Sequence, residues 1–289
     1  MQIVRFFRSV RVRGEGAAAD TGPAAGARGL AALSVLGLLA AGCGTVRGED
    51  LLDNLPAGPV LVAPDAGALR SQARMLERAH ARQVAAARRY RLPGAPLSPP
   101  RSPTFKPFLT TEPQLSRGGG AGPPAVISRV PTRARVVFLT VGDADAKDPK
   151  FVRMMRALDV PYRVFPASRR ALPRLSPAVQ RAEICGPQHA RRRATGPRLF
   201  RPPLGAYSAA TLRIAADCGV KVVPLWNEEA FPGRMAYRAR DRRLHPGDIV
   251  LLRPGAGRDR SAAMVHAALG ALRTADQQGF AVGQLEDYV

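Results

Sequence analysis

The side chains best placed to do chemistry directly follow the apolar runs in the C-terminal half of the chain. Asp143 and Asp145 follow the first such run, Arg201 ends a second, and Trp226 and Arg253 follow two more. Carboxylates can hold a divalent metal or act as a general base. The two aspartates are therefore the candidates for metal binding and proton transfer.

The histidines do not complete such a site. The four present are His80, His189, His245 and His266. His80 and His266 fall in predicted helices and His189 follows a helical run. His245 precedes a strand, which is the structural rather than the catalytic end of an α/β fold. The sequence also has no Gly-x-Ser-x-Gly, Walker loop or Cys-x-x-Cys motif.

An alternation of strands and helices must position these residues. Strands are predicted at 136–140, 164–165, 199–201, 221–225, 248–252 and 280–282, and helices at 149–158, 177–193, 209–218 and 264–278. Apolar strands joined by helices predict an α/β fold with a parallel sheet or barrel. In such folds the chemistry lies just past the carboxyl ends of the strands.

The first 43 residues have the pattern of an export signal. Arginines precede an uncharged apolar stretch, Gly29 to Ala41, that is only about 20 Å long as a helix and too short for a hydrocarbon core of about 30 Å. Ala40-Ala41-Gly42-Cys43 then resembles a bacterial lipobox, where the cysteine is acylated; an ordinary secretory signal is the alternative. In both cases we expect an extracytoplasmic protein, anchored to the outer face of the cell membrane or secreted.

Two cysteines remain if Cys43 carries lipid. Outside the cytoplasm, Cys185 and Cys218 are better interpreted as a possible disulfide than as a metal site. The sequence alone does not show that they meet.

The chain is strongly basic, with 44 Lys plus Arg against 22 Asp plus Glu and a formal charge of +22. Such an excess favours an anionic partner, although the arginine bias that GC-rich codons produce explains part of it. In a helix predicted from Asp65 to Arg91, Arg70, Arg74, Arg78 and Arg82 recur every four residues. A membrane surface or wall polymer would complement them, and a solvated helix face is the alternative. No nucleic-acid partner is expected, because no aromatic residues are interleaved with the basic runs.

Several stretches resemble the polysaccharide deacetylase family, the NodB-homology domain, in its secreted actinobacterial form. They are Phe200 to Tyr207 (the most specific), Val136 to Thr140, Gln180 to Gly186, His245 to Val250 and Gln278 to Val282. The resemblance implies a distorted (β/α) barrel and zinc-dependent removal of acetyl groups from cell-wall or chitin-like glycans. It also implies one Asp and two His as zinc ligands, a second Asp as general base and a late His as general acid. Zinc suits this chemistry because it lowers the pKa of its bound water to about 7.

The chain keeps only part of that apparatus. The family's metal-ligand Asp corresponds to Asp143, but the base position is Gly142 and the late His position is Arg253. The His-x-x-x-His pair is absent, together with about two dozen other family positions that would follow Phe165. Asp145 is a weak substitute base. We therefore expect a barrel missing one strand, impaired hydrolysis and no bound cofactor, although the family uses zinc or another divalent metal. A sequence error or gene decay in the gap is the alternative explanation.

The resemblance leaves a substrate cleft, which we expect Arg201, Pro202, Tyr207 and Trp226 to line. An exported family member that binds a cell-wall glycan there is the leading hypothesis. The alternative is a non-catalytic lipoprotein that binds glycan or an anionic wall polymer and is held on the membrane by its lipid. The predicted domains are a signal peptide with lipobox at 1–43, a basic helical segment at 44–92, a Pro/Gly-rich linker at 93–130 and a deacetylase-like domain at 131–289.

Overall fold

The computed structural model describes residues 66–116, 122, 124–166, 170–190, 198–255 and 259–289, without the side chains of 66 and 188–190. The predicted signal peptide, the lipidation site Cys43 and the side chain of His189 lie outside the described residues. Across the described ranges, no helix combines the length and the apolar character needed to cross a bilayer.

Helices and strands alternate along most of the described chain. They are α1 (Ala66–Arg89), β1 (Ala125–Ile127), β2 (Val136–Gly142), α2 (Asp143–Ala146), α3 (Pro149–Ala157), β3 (Arg163–Phe165), α4 (Pro177–Ala190), α5 (Ala209–Asp217), β4 (Val222–Pro224), β5 (Glu228–Phe231), β6 (Arg234–Tyr237), β7 (Ile249–Leu252), α6 (Arg260–Gln277) and β8 (Ala281–Val282). The predicted strands at 136–140 and 248–252 and the predicted helices at 149–158, 209–218 and 264–278 are confirmed, with ends that differ by at most four residues.

The larger sheet is built around β2. This strand pairs in parallel with β3 on one side and with β7 on the other, and β8 pairs with its first residues. β5 continues the sheet in parallel beside β7, and β6 folds back on β5 as an antiparallel hairpin. From Val136 to Val141 every residue of β2 is buried, because the strand is covered on both faces, as its apolar run predicts.

The hairpin of β5 and β6 was not predicted. Its two-residue turn is Pro232-Gly233, and Gly233 has φ +75°. Proline followed by a glycine in the left-handed region is the combination that a type II turn requires. The turn signal was therefore present in the sequence, but the strand Glu228–Phe231 begins with two glutamates and does not read as a buried strand.

The smaller sheet pairs β1 with β4 in parallel, with Val126 opposite Val223. Leu199 joins the other side of β4 through a single bridge to Val222, so the strand predicted at 199–201 reduces to one bridging residue. Both Val126 and Val223 are completely buried, and they belong to one apolar cluster with residues of α4 and α5.

The boundary predicted at residue 131 needs correction, because the stretch predicted as a linker contributes to the fold. Leu115 is buried, and β1 lies wholly inside 93–130. The carboxylate of Glu112 accepts hydrogen bonds from the backbone N–H of Ser128 (2.5 Å) and of Arg129 (3.0 Å). This stretch is ordered although it is rich in Pro and Gly, because β1 pairs with the distant strand β4 and Leu115 is buried.

The α/β fold class is confirmed, and the barrel is distorted and open. Within the described residues β3 has β2 as its strand partner and forms one edge of the larger sheet. Leu199 lies at an edge of the smaller sheet. The chain between β3 and Leu199 is where the sequence predicts the missing strand.

The last turns of α1 attach this helix to the rest of the domain. Ala86 and Ala87 are buried against the cluster that also contains residues of α3, and the side-chain amide of Gln83 donates to the carbonyl of Leu158 at 3.3 Å. The first turns are exposed: Leu69 and Leu76 keep 49% and 64% of their surface. The described part of the predicted basic segment is therefore a helix held at one end.

Candidate functional site

A cavity of about 400 Å³ lies at the carboxyl ends of β2, β3, β5 and β7. This is the end of the sheet where the sequence predicts the chemistry. Its walls include the residues that end or follow these strands: Gly142, Phe165, Pro166, Phe231, Leu252 and Arg253, together with Arg201, Pro202, Trp226 and Arg260. A volume of this size falls in the range of about 300–1,000 Å³ that small-ligand sites have.

Arg201 lies at the base of the cavity and is 5% exposed. Its guanidinium donates to the carbonyls of Pro224 (Nε, 2.6 Å) and Leu225 (Nη2, 2.8 Å) and to the hydroxyl of Thr140 (Nη1, 2.8 Å). It also stacks on Phe165, with 4.3 Å from Cζ to the ring centroid. Its three hydrogen-bond acceptors are thus two backbone carbonyls and a hydroxyl, all of them neutral.

Trp226 and Arg253 line the cavity, and Glu229 contacts both of them. One oxygen of Glu229 accepts from both the indole Nε1 of Trp226 (2.9 Å) and the Nε of Arg253 (2.8 Å). Arg253 lies 5.6 Å from the centroid of the Trp226 ring, and Arg201 lies 5.4 Å from it. Glu229 thus holds the indole and the guanidinium in fixed positions, with two cations close to the same ring.

The two predicted carboxylates after β2 have separate surroundings. Asp145 lines the cavity, and its Oδ1 lies 2.7 Å from Nη2 of Arg260 in an ion pair. Asp143 begins the short α2, and its Oδ1 accepts from the N–H of Ala144 at 2.9 Å. It lines a different cavity of about 250 Å³, together with Glu183.

The family's metal does not fit the residues present. A catalytic zinc needs three protein ligands and one open position, and the described part of the chain has no group of three His, Cys, Asp or Glu side chains that could hold an ion. Arg253, at the position where the resemblance implies the late His, is a cation paired with Glu229. Guanidinium groups repel a dication, so no hydrolytic step through zinc follows from this arrangement.

The prediction that Tyr207 lines the cleft is wrong. It is 8% exposed, belongs to the apolar cluster beneath the smaller sheet and donates its hydroxyl to the carbonyl of Leu115. Pro202 and Trp226 do line the cavity with Arg201. Tyr207 therefore supports the loop that carries Arg201 without facing the cavity itself.

Cys185 and Cys218 form a disulfide, with their Cα atoms 5.0 Å apart. It joins α4 to the residue that ends α5. Both cysteines lie in the apolar cluster beneath the smaller sheet, so the bond ties together the two helices that contribute to this cluster.

Glu229 and Arg260, which orient the cavity's charged groups, were not predicted from the sequence. Glu229 lies two residues into β5, in the hairpin that was not predicted. Arg260 opens α6, whose first turn is capped by the Asp259 carboxylate accepting from the N–H of Ala262 at 2.9 Å. The Asp259 cap and the Pro-Gly turn were signals for these elements, but neither signal shows that the residues reach the cavity.

A second polar group lies at the opposite, amino end of the sheet. Asp248 is buried and accepts from Arg129 (2.6 Å), from the side chain of Asn227 (3.0 Å) and from the N–H of His245 (2.7 Å). Beside it, burial and then the charge of Asp248 raise the pKa of Glu228 from 4.5 to about 8. His245 therefore has the structural role expected from its position.

Comparison with known proteins agrees with the motifs. The family model described as polysaccharide deacetylase matches residues 133–223. The uncharacterized protein SCO4760 of Streptomyces coelicolor is 37% identical over 195 residues, which cover 57% of this chain and 78% of that protein. The chain belongs to the polysaccharide deacetylase family.

Solved structures are also similar. A CE4 family pseudoenzyme from Bacillus anthracis is 20% identical, covers 57% of this chain and 69% of its own, and has a TM-score of 0.43. The Bc1960 peptidoglycan N-acetylglucosamine deacetylase is 16% identical, covers 56% of this chain and 92% of its own, and has a TM-score of 0.47.

Proposed function

We propose that this polysaccharide deacetylase family protein binds a cell-wall glycan in the cavity at the carboxyl ends of the strands and has lost the family's metal-dependent hydrolysis. One observation carries the proposal. The guanidinium of Arg253, at the position where the resemblance implies the general acid, is held by Glu229 at 2.8 Å and lies over Trp226. A site arranged around cations suits binding of polar hydroxyl or anionic groups better than it suits a zinc ion.

The cavity wall also has the composition of a sugar site. Trp226 offers an aromatic surface, and its Nε1 is already committed to Glu229, so the ring keeps one orientation. An apolar face beside a few fixed polar groups is the usual composition of a small-ligand site. The side chain of Arg253 is 40% exposed and lines the cavity, so a ligand can reach it.

The loss of hydrolysis is tested by measuring zinc content and acetate release from acetylated chitin oligosaccharides and peptidoglycan fragments. We expect substoichiometric zinc and no acetate above a heat-treated control. Stoichiometric zinc with turnover that Asp143→Asn abolishes would overturn the proposal. Asp145→Asn separates the two carboxylates: if Asp145 has become the base, this variant loses turnover but keeps the metal.

We propose further that the protein is exported and lipid-anchored at Cys43. The charged, apolar and small-residue order of residues 1–43 supports this, and so does the disulfide, since disulfides persist in oxidising compartments. Metabolic labelling with a fatty acid analogue should mark the wild type and not Cys43→Ala. A label that survives in Cys43→Ala would exclude lipidation at this cysteine.

A second candidate function rests on α1. Arg70, Arg74, Arg78 and Arg82 are exposed, and no acidic side chain of the described residues forms an ion pair with them. Like charges four residues apart destabilise a helix by a few tenths of a kcal/mol per pair, and an anionic surface would relieve this repulsion.

Its test is sedimentation with teichoic acid or with vesicles containing anionic lipid. Arg74→Gln with Arg78→Gln should weaken binding, whereas Arg88→Gln with Arg89→Gln, at the attached end of the same helix, serves as the matched control. Binding that is independent of salt, or equally weakened by both pairs, would show that the exposed arginines are simply solvated.

A further inference from the structure

The buried charge of Arg201 has no anionic partner among the described residues. Three of its five N–H groups bond to Pro224 O, Leu225 O and Thr140 Oγ1, which are all neutral acceptors. No carboxylate of the described chain lies within 4 Å of it. A buried cation without a counter-ion is destabilising, and an anion that enters the site would relieve this cost.

Its neighbour Arg253 makes the local potential more positive. Burial first, and then the charge of Arg253, lower the pKa of Arg201 to about 9, which leaves Arg201 protonated at neutral pH. Arg253 shares its own counter-ion, because the same oxygen of Glu229 also accepts from Trp226. The third cation of the cavity, Arg260, is neutralised by Asp145. The uncompensated charge is thus concentrated between Arg201 and Arg253.

The geometry points to a carboxylate as the group that this part of the cavity binds, so we propose that the ligand is an acidic sugar such as a uronic acid. Arg201 and Arg253 both lie near the Trp226 ring, at 5.4 and 5.6 Å, so a carboxylate near them would place a pyranose ring beside the indole. Planar guanidinium groups bind carboxylates with charge-assisted hydrogen bonds. This inference rests on the proposed function and names its ligand class.

Trp226 gives the experiment a direct signal, because it is the one tryptophan of the chain. Its fluorescence is titrated with an oligoglucuronate, with the same oligosaccharide after its carboxylates are reduced to primary alcohols, and with sodium acetate. We expect the oligoglucuronate to bind at least tenfold more tightly than its reduced form, and added salt to weaken this preference. Acetate should bind more weakly than the oligoglucuronate, because it lacks the sugar ring.

The outcomes separate the two proposals. Equal binding of the two oligosaccharides would overturn the acidic-sugar inference and leave glycan binding intact. Acetate binding as tightly as the oligoglucuronate would keep the anion site and overturn glycan binding. No fluorescence change with any ligand, confirmed by calorimetry, would overturn both.

Arginine variants test which cation binds the carboxylate of the ligand. Arg253→Gln should lower the affinity for the oligoglucuronate at least tenfold and should change the affinity for the reduced form much less. Arg181→Gln is the matched control, since Arg181 also pairs with a carboxylate (Asp217, 3.0 Å) but does not line the cavity. Arg201→Gln removes the buried charge itself and is interpreted only if its circular dichroism matches the wild type. Equal losses in Arg253→Gln and Arg181→Gln would overturn the assignment.

Discussion

Replacing Glu228 by glutamine should remove a pH dependence of stability that this single carboxyl group creates. Glu228 is completely buried at the start of β5; its Oε2 accepts from the N–H of Arg238 at 3.3 Å, and its Oε1 has no hydrogen-bond donor among the described residues. Burial, and next the neighbouring Asp248, raise its pKa to about 8, against partial compensation by Arg129. At neutral pH the folded protein therefore holds this group mainly in its protonated form.

The direction and size of this pH dependence of stability follow from proton linkage. Between pH 4.5 and pH 8 the folded state keeps the proton and the unfolded state releases it, so the free energy of unfolding falls as pH rises. Stability from this group is fully present below about pH 4.5 and is lost as pH passes about 8. The window is about 3.5 pH units, and at 1.36 kcal/mol per unit the full loss is about 5 kcal/mol. This is comparable to the whole stability of a small domain.

The assay is urea unfolding of the wild type, Glu228→Gln and Glu77→Gln at pH 5, 7 and 9. Glutamine keeps the shape of the protonated acid but cannot ionise, so the stability difference between Glu228→Gln and wild type should shift in favour of the variant by several kcal/mol from pH 5 to pH 9. Glu77 is exposed on α1 and provides the control. A difference between Glu228→Gln and wild type that stays constant across this range would refute the reasoning.

Three further predictions concern the backbone and the disulfide. Gly247→Ala should lower the free energy of unfolding by about 3 kcal/mol or more, because its φ is +83° and a Cβ would lie 1.8 Å from the carbonyl oxygen of Val130; urea unfolding that matches the wild type would contradict this. The double variant Cys185→Ser with Cys218→Ser should have a free energy of unfolding about 4 kcal/mol lower, because the disulfide restricts the unfolded chain across a 33-residue separation. When the disulfide of the wild type is reduced, its melting temperature should fall to that of the double variant. Leu204→Gly should raise stability by about 1 kcal/mol, because Leu204 has φ +59° and is 62% exposed; a lower melting temperature would show that its side chain packs usefully.

The elements that sequence predicts well are those whose own residues determine their state. β2 is predicted from its run of apolar residues, and it is buried along nearly its whole length. Helix α3 starts with Pro149 after Asp148, whose carboxylate accepts from the N–H groups of Lys150 and Phe151. These signals are local, so they are readable without the rest of the fold.

The elements that were missed depend on distant partners. β1 is three residues long inside a Pro-rich stretch, and it is a strand because β4, about a hundred residues later, pairs with it. Glu228 looks like a solvated residue and is buried. In the candidate site, Arg253 was predicted from its place after a strand, but its partner Glu229 and the pair Asp145–Arg260, separated by 115 residues, follow only from the folded arrangement.

The pairing of β8 with β2 has a consequence for the order of folding. Ala281 and Val282 complete the start of the central strand, Tyr288 packs edge-on against Phe138 at 5.1 Å, and Lys106 donates to the carbonyl of Val289 at 2.8 Å. Contacts of such long sequence separation form late and slow the search for the native state. The chain is synthesised from its amino end, so β8 leaves the ribosome after β2 and can pair with it only then. A deletion of residues 280–289 therefore acts on the central strand of the larger sheet.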